Sequence, residues 1–176
     1  MITSIISILM LCLECLCGQQ GPEAQLDDIN GVIKLAKYVS WPNEEQMTTT
    51  TILIVPQSEE SYKSAERLAM SHKILNSVIE LRRVDGDDDN LDAVNIIYIE
   101  SGADMDVDNI IQKASSRQIL TITNDIQILE KGCMFYVKQD SGTERIQYLY
   151  NKEAIIASPL SISSHILTPD HKYEKN

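Results

Sequence analysis

Two apolar runs set the narrowest limits on what this chain can fold into: Thr51-Ile-Leu-Ile-Val55 and Val94-Asn-Ile-Ile-Tyr-Ile99. A strand with one face in water alternates apolar and polar residues. A near-continuous apolar run suits a strand covered on both faces, which is the habit of parallel sheets flanked by helices. Pro56 closes the first run. A helix is then predicted over 58–71, with Tyr62, Ala65, Leu68 and Ala69 on one face and Ser58 as its N-cap. The alternation continues with a strand at 77–84, a helix at 106–115 and a strand at 118–123. Segments 132–138 and 145–150 flank Gln139-Asp-Ser-Gly142, a hairpin signal with glycine in the turn. The end, 151–167, reads as helical pieces broken at Pro159, before a charged tail. This pattern predicts an α/β fold: one domain with a mostly parallel sheet flanked by helices and a C-terminal antiparallel hairpin.

Ahead of the first strand, Ile29, Val32, Ile33, Ala36 and Val39 recur at helical steps, predicting a helix over 26–39 that runs into Tyr38, Trp41 and Pro42. The aromatic residues are expected to supply packing area and the proline to stop the helix. The chain has one Trp and one Phe, so the position of Trp41 carries weight. Residues 1–18 are expected to be a signal peptide: 5–13 are nearly all apolar, and polar Gln19-Gln-Gly-Pro-Glu23 follows. The missing Lys or Arg before Lys34, and Glu14 near the cleavage region, are departures from the usual leader. The folded domain is then 19–176. Three of the four cysteines fall in the leader, leaving Cys133 alone in the apolar run Cys133-Met-Phe-Tyr-Val137, where a buried small hydrophobe is the plain reading.

A formal net charge of −11 argues against nucleic acid as a partner, because affinity there rests on Lys and Arg. The acidic cluster from Asp85 to Asp92 invites calcium, but the sixth and twelfth positions of an EF-hand loop would be Asn90 and Ile96. The Asp104 to Asp108 group fails the same test and reads as carboxylates favoured at a helix N-terminus. His72, His165 and His171 show no metal-ligand spacing. Neither a phosphate-binding glycine loop nor a nucleophile elbow is present. A binding module rather than an enzyme is expected, with no catalytic residue, metal or cofactor. Asn151 stands between a strand and a helix, where capping is its ordinary role.

In order along the chain stand Ile33-Lys-Leu-Ala-Lys-Tyr-Val-Ser-Trp-Pro42, Thr51-Ile-Leu-Ile-Val55, Val94-Asn-Ile-Ile-Tyr-Ile-Glu100 and Ile119-Leu-Thr-Ile-Thr123. Arg145-Ile-Gln-Tyr-Leu-Tyr-Asn151, Ala154 and Pro159-Leu-Ser-Ile-Ser-Ser-His-Ile-Leu167 complete the series. In this order and spacing the chain, over roughly 27–168, resembles the YfiR-like family of small exported proteins. The resemblance implies a periplasmic, non-catalytic α/β domain, often a homodimer. It also implies a partner: the best-known member binds the periplasmic part of a membrane diguanylate cyclase and represses it, lowering cyclic di-GMP and biofilm formation. The partner-binding positions so implied are Tyr148, Asn151, Ile155 and Ile162. The disulfide cysteines of that member are missing here, which puts redox control in doubt. For a regulator, an exposed apolar patch on the hairpin or the last helices is expected. The alternative is a periplasmic receptor for a small ligand, with a pocket at the carboxyl ends of the strands near Pro56, Glu100 and Thr123.

Overall fold

Alternate residues of the central strands face opposite ways, and the core divides accordingly into two layers. The computed structural model describes residues 22–42, 44–84, 90–139 and 145–173. In chain order its elements are α1 (Pro22–Ala36), β1 (Val39–Ser40), β2 (Thr49–Val55), α2 (Glu59–Met70), β3 (Lys73–Ile74) and β4 (Ser77–Arg83). Next come β5 (Ile96–Ile99), α3 (Val107–Ser115), β6 (Leu120–Thr123), α4 (Ile126–Glu130) and β7 (Phe135–Gln139). β8 (Ile146–Tyr150), α5 (Lys152–Ala157) and β9 (Ser161–Ile162) follow, with 3-10 turns at Glu44–Gln46 and Pro169–His171.

The main sheet has seven strands in the order β3-β4-β2-β5-β6-β7-β8. Its five inner strands run parallel, and β3 and β8 close its two ends antiparallel. Ile52 and Ile54 of β2 join Ile96 and Tyr98 of β5 on the face covered by α1 and α2. Leu53, Val55, Ile97 and Ile99 turn to the other face, where Ile110, Ile111 and Ala114 of α3 cover them. Each such side chain withdrawn from water stabilises the fold by about 1.5–3 kcal/mol. The sheet, its parallel centre and the C-terminal hairpin are as the sequence pattern predicts; β7 pairs with β8 from Phe135↔Tyr150 to Gln139↔Ile146.

α1 lies close against the sheet because of a glycine. A Cβ on Gly31 would run into the Val137 side chain and stand 3.2 Å from Ile146 Cγ2. Ser58 caps α2, its side chain accepting from the Ser61 N–H, and Asp106 caps α3 by accepting from the Asn109 N–H.

The structure departs from the sequence pattern in four places. The first helix starts at Pro22 and ends at Ala36, and Val39–Ser40 is a strand paired antiparallel with Ser161–Ile162. Pro42 therefore does not stop the helix; the tertiary pairing, with the Ser163 N–H donating to the Tyr38 carbonyl at 2.8 Å, draws the backbone out of it first. Trp41 is buried at 6% exposure, while Tyr38 is 41% exposed. Ile126–Glu130 forms a helix with no counterpart in the sequence reading, capped by Asp125. Beyond α5 the C-terminal segment is a strand and turns, so His165 sits on no helix. The leader at 1–18, the cluster at 85–89 and the hairpin loop at 140–144 lie outside the described residues.

Candidate functional site

The C-terminal part of the chain carries the four predicted partner-binding residues, on β8, α5 and β9, and they differ in what they are free to do. Tyr148 is on the edge strand β8, partly buried against the core. Its ring meets the His171 ring edge-on at a centroid distance of 6.3 Å and an interplanar angle of 67°. Burial, with the Tyr38 phenol nearby, pushes the Tyr148 phenol up to about 12, so it is a neutral donor at any physiological pH. Ile155 on α5 and Ile162 on β9 are likewise half-buried against the same core.

Asn151 is engaged inside the fold. Its Oδ1 accepts the Ala154 N–H at 3.1 Å, capping α5, and its Nδ2 donates to the Leu129 carbonyl at 3.0 Å. Its own backbone N–H donates to the Met134 carbonyl at 2.9 Å. Asn151 thus positions α5. The large apolar residue that α5 holds out to solvent is Ile156, 72% exposed, which the sequence reading did not single out. Periodicity alone had no means of finding it, since a six-residue helix has too few turns to define a face.

At the carboxyl ends of β5 and β6 lies a second group of polar residues. Glu100 follows β5 and is buried; its carboxylate accepts the Gln57 N–H at 2.7 Å and the Ser61 hydroxyl. Both partners sit at the start of α2, where the helix dipole favours negative charge. Asp28 on α1, also buried, accepts the Asn124 Nδ2–H at 2.9 Å and the Gln139 N–H at 2.9 Å, with the Tyr98 hydroxyl at 3.5 Å. Burial raises both carboxyls above their ordinary values, against the opposing pull of those donors. Pro56, Glu100 and Thr123, the expected rim of a ligand pocket, therefore surround a closed network: Thr123 is fully buried and the Glu100 oxygens are engaged by α2. The sequence showed an acid directly after an apolar run at Glu100, but nothing that paired Asp28 with residues at the far side of the domain.

Cys133 is fully buried and its thiol is pushed up to about 12 by desolvation, which removes the thiolate needed for redox chemistry. His72 is exposed at the end of α2, its Nδ1 2.9 Å from the Leu68 carbonyl. Asp108 pairs with Lys131 at 3.3 Å on the surface. No group of three or more His, Cys, Asp or Glu able to hold a metal occurs among the described residues. Among the same residues, no helix is long and apolar enough to cross a membrane.

A family model described as YfiR/HmsC-like matches residues 29–168. The chain belongs to this family. The match runs from Ile29 in α1 through β9 to Thr168, and so spans the whole sheet and both core layers. No curated protein matches the chain significantly. YfiR/HmsC-like proteins form a regulatory rather than a catalytic family, tied to cyclic di-GMP signalling. Among the described residues of this YfiR/HmsC-like chain, the buried carboxylates Asp28 and Glu100 are held by donors within the fold.

Proposed function

We propose that this chain is a periplasmic regulatory binding protein that represses a membrane signalling protein, a diguanylate cyclase, by contact rather than by chemistry. Family membership over residues 29–168 carries the reading. It is supported by Tyr148 on β8, Ile155 on α5 and Ile162 on β9, each half-buried against the same core layer, and by Ile156 of α5, which is open to solvent. Repression follows as a population shift: binding the periplasmic part of the cyclase in its inactive state moves the equilibrium toward that state, by as much as the affinities for the two states differ. A homodimer is the assembly in which we expect it to act.

The test is deletion of the chain from its native host, with cyclic di-GMP measured and the periplasm crosslinked. The expected outcome is a rise in cyclic di-GMP, reversed by the full chain, and a crosslink to a membrane cyclase that the Ile156→Asp chain does not form. Unchanged cyclic di-GMP, with no cyclase among the crosslinked membrane proteins, would overturn the reading.

A further inference from the structure

β8 is the last strand of the main sheet and pairs with β7 along one of its two edges. The Asn151 N–H donates to the Met134 carbonyl on the β7 side, and the Tyr150 carbonyl accepts the Tyr173 N–H on the other. Backbone groups of successive strand residues point alternately to the two sides. Gln147 and Leu149 therefore face β7, while Ile146 and Tyr148 turn their N–H and C=O groups outward. Among the described residues those outward groups have no partner. An open edge is a template for another strand, and folds commonly blunt one with charge or proline. From Ile146 to Tyr150 the strand holds neither.

A cavity of about 380 Å³ runs along this edge. Every residue from Arg145 to Leu149 lines it, together with Asp170 and His171 of the C-terminal turn. Side chains of a strand alternate between its faces, so a space that touches five consecutive residues abuts the strand's edge rather than one face.

The chain itself shows what this edge accepts. Lys172 bridges to Tyr150 in parallel, and the Tyr173 N–H completes the rung. Ahead of Lys172 the backbone turns away: the His171 N–H donates back to the Thr168 carbonyl, closing the 3-10 turn Pro169–His171. Strand pairing stops there and the cavity begins. An extended peptide backbone presents a donor and an acceptor at every second residue, the spacing at which Ile146 and Tyr148 present theirs.

We propose that the open edge of β8 receives an extended peptide segment, in line with the Lys172–Tyr173 rung, and that the membrane partner supplies it. The supplier's identity rests on the regulatory reading above; the edge site does not.

Residue-resolved amide hydrogen exchange on the whole protein tests both parts. In the protein alone, the Gln147 and Leu149 amides, bonded to β7, should exchange slowly and those of Ile146 and Tyr148 fast. Saturating acetyl-Thr-Val-Thr-Val-Thr-amide, a strand-forming probe, should slow the Ile146 and Tyr148 amides by about tenfold or more. Its counterpart N-methylated at every residue keeps the side chains, loses the donors and should protect neither amide. The periplasmic part of the cyclase should protect the same two amides. Slow exchange at Ile146 and Tyr148 in the protein alone, no protection by the peptide, or equal protection by the N-methylated form would each overturn the edge site. A cyclase part that binds and leaves both amides fast would overturn its role as supplier, with the regulatory reading intact. Failure of that reading shows separately, as unchanged cyclic di-GMP on deletion while the peptide still protects both amides.

Discussion

Asp28 and Gln139 stand 111 residues apart in sequence and are joined by a backbone hydrogen bond, the Gln139 N–H donating to Asp28 Oδ1 at 2.9 Å. The bond fastens α1 to the end of β7, and the other carboxylate oxygen takes the Asn124 amide from the loop after β6. One buried acid on the first helix thus ties down two strand ends that follow it by most of the domain. Glu100 does the same service between β5 and α2.

These two acids make stability depend on pH. Burial is the leading cause that raises each above its ordinary value, 3.8 for Asp28 and 4.5 for Glu100, so the folded state favours their protonated forms. The associated stabilisation is complete below those ordinary values and is lost as pH rises through the raised folded-state values. In urea unfolding, the parent should therefore gain stability relative to an Asp28→Asn/Glu100→Gln variant as the pH is lowered from neutrality towards those ordinary values. A parent–variant difference that stays flat over that interval, or moves the other way, refutes the assignment. At neutral pH the Asp28→Asn change alone should cost about 1–3 kcal/mol, because an amide nitrogen would face one of the two donors and leave it unpaired.

Trp41 closes the core beside β1 while walling a cavity, and two substitutions separate these roles. Trp41→Ala should lose about 3–5 kcal/mol in urea unfolding followed by circular dichroism, the usual cost of emptying a buried aromatic site. Trp41→Phe keeps an aromatic ring and removes the unpartnered N–H, so its cost should stay below about 1.5 kcal/mol. Equal losses for the two would mean that ring packing is not what Trp41 supplies.

Gly31 sits mid-helix, where alanine ordinarily stabilises by about 1 kcal/mol. Here Gly31→Ala should instead destabilise by about 1–3 kcal/mol, since its methyl group meets Val137. Combining it with Val137→Ala should give a loss smaller than the sum of the two single losses. A stabilised Gly31→Ala protein would show that α1 can move off the sheet.

On the C-terminal surface, stability and partner contact should come apart. Ile156→Asp should alter unfolding by no more than about 0.5 kcal/mol, as for other solvent-exposed positions, while abolishing repression of cyclic di-GMP synthesis. Asn151→Ala should cost about 1–2 kcal/mol through the lost cap and the freed Leu129 carbonyl. Repression that persists undiminished in Ile156→Asp would place the contact elsewhere.

Much of the fold was legible residue by residue. The runs at Ile52 to Val55 and Ile96 to Ile99 are strands buried on both faces, and β7 and β8 pair antiparallel as the hairpin signal predicts. Ser58 and Asn151 cap the helices they precede. The candidate site was legible only in part. Tyr148, Ile155 and Ile162 share one core, but Ile156, the most exposed of the group, went unmarked. The pocket expected near Glu100 is a closed network, and a cavity opens instead at the other ends of the strands.

By itself the sequence determined what depends on neighbours within a few positions: which segments are strand or helix, where helices begin, and which residues face a core. Those signals arise from side-chain period and from caps that bond three residues away, so they survive without knowledge of the rest of the chain. Only the tertiary structure decided that Val39–Ser40 leaves the helical register to pair with Ser161–Ile162, that Asp28 serves Gln139 and Asn124, and that the Trp41 ring is buried with its indole N–H unpartnered. Each is a contact between residues remote in sequence, set by how the layers close on one another, and no local pattern encodes the partner.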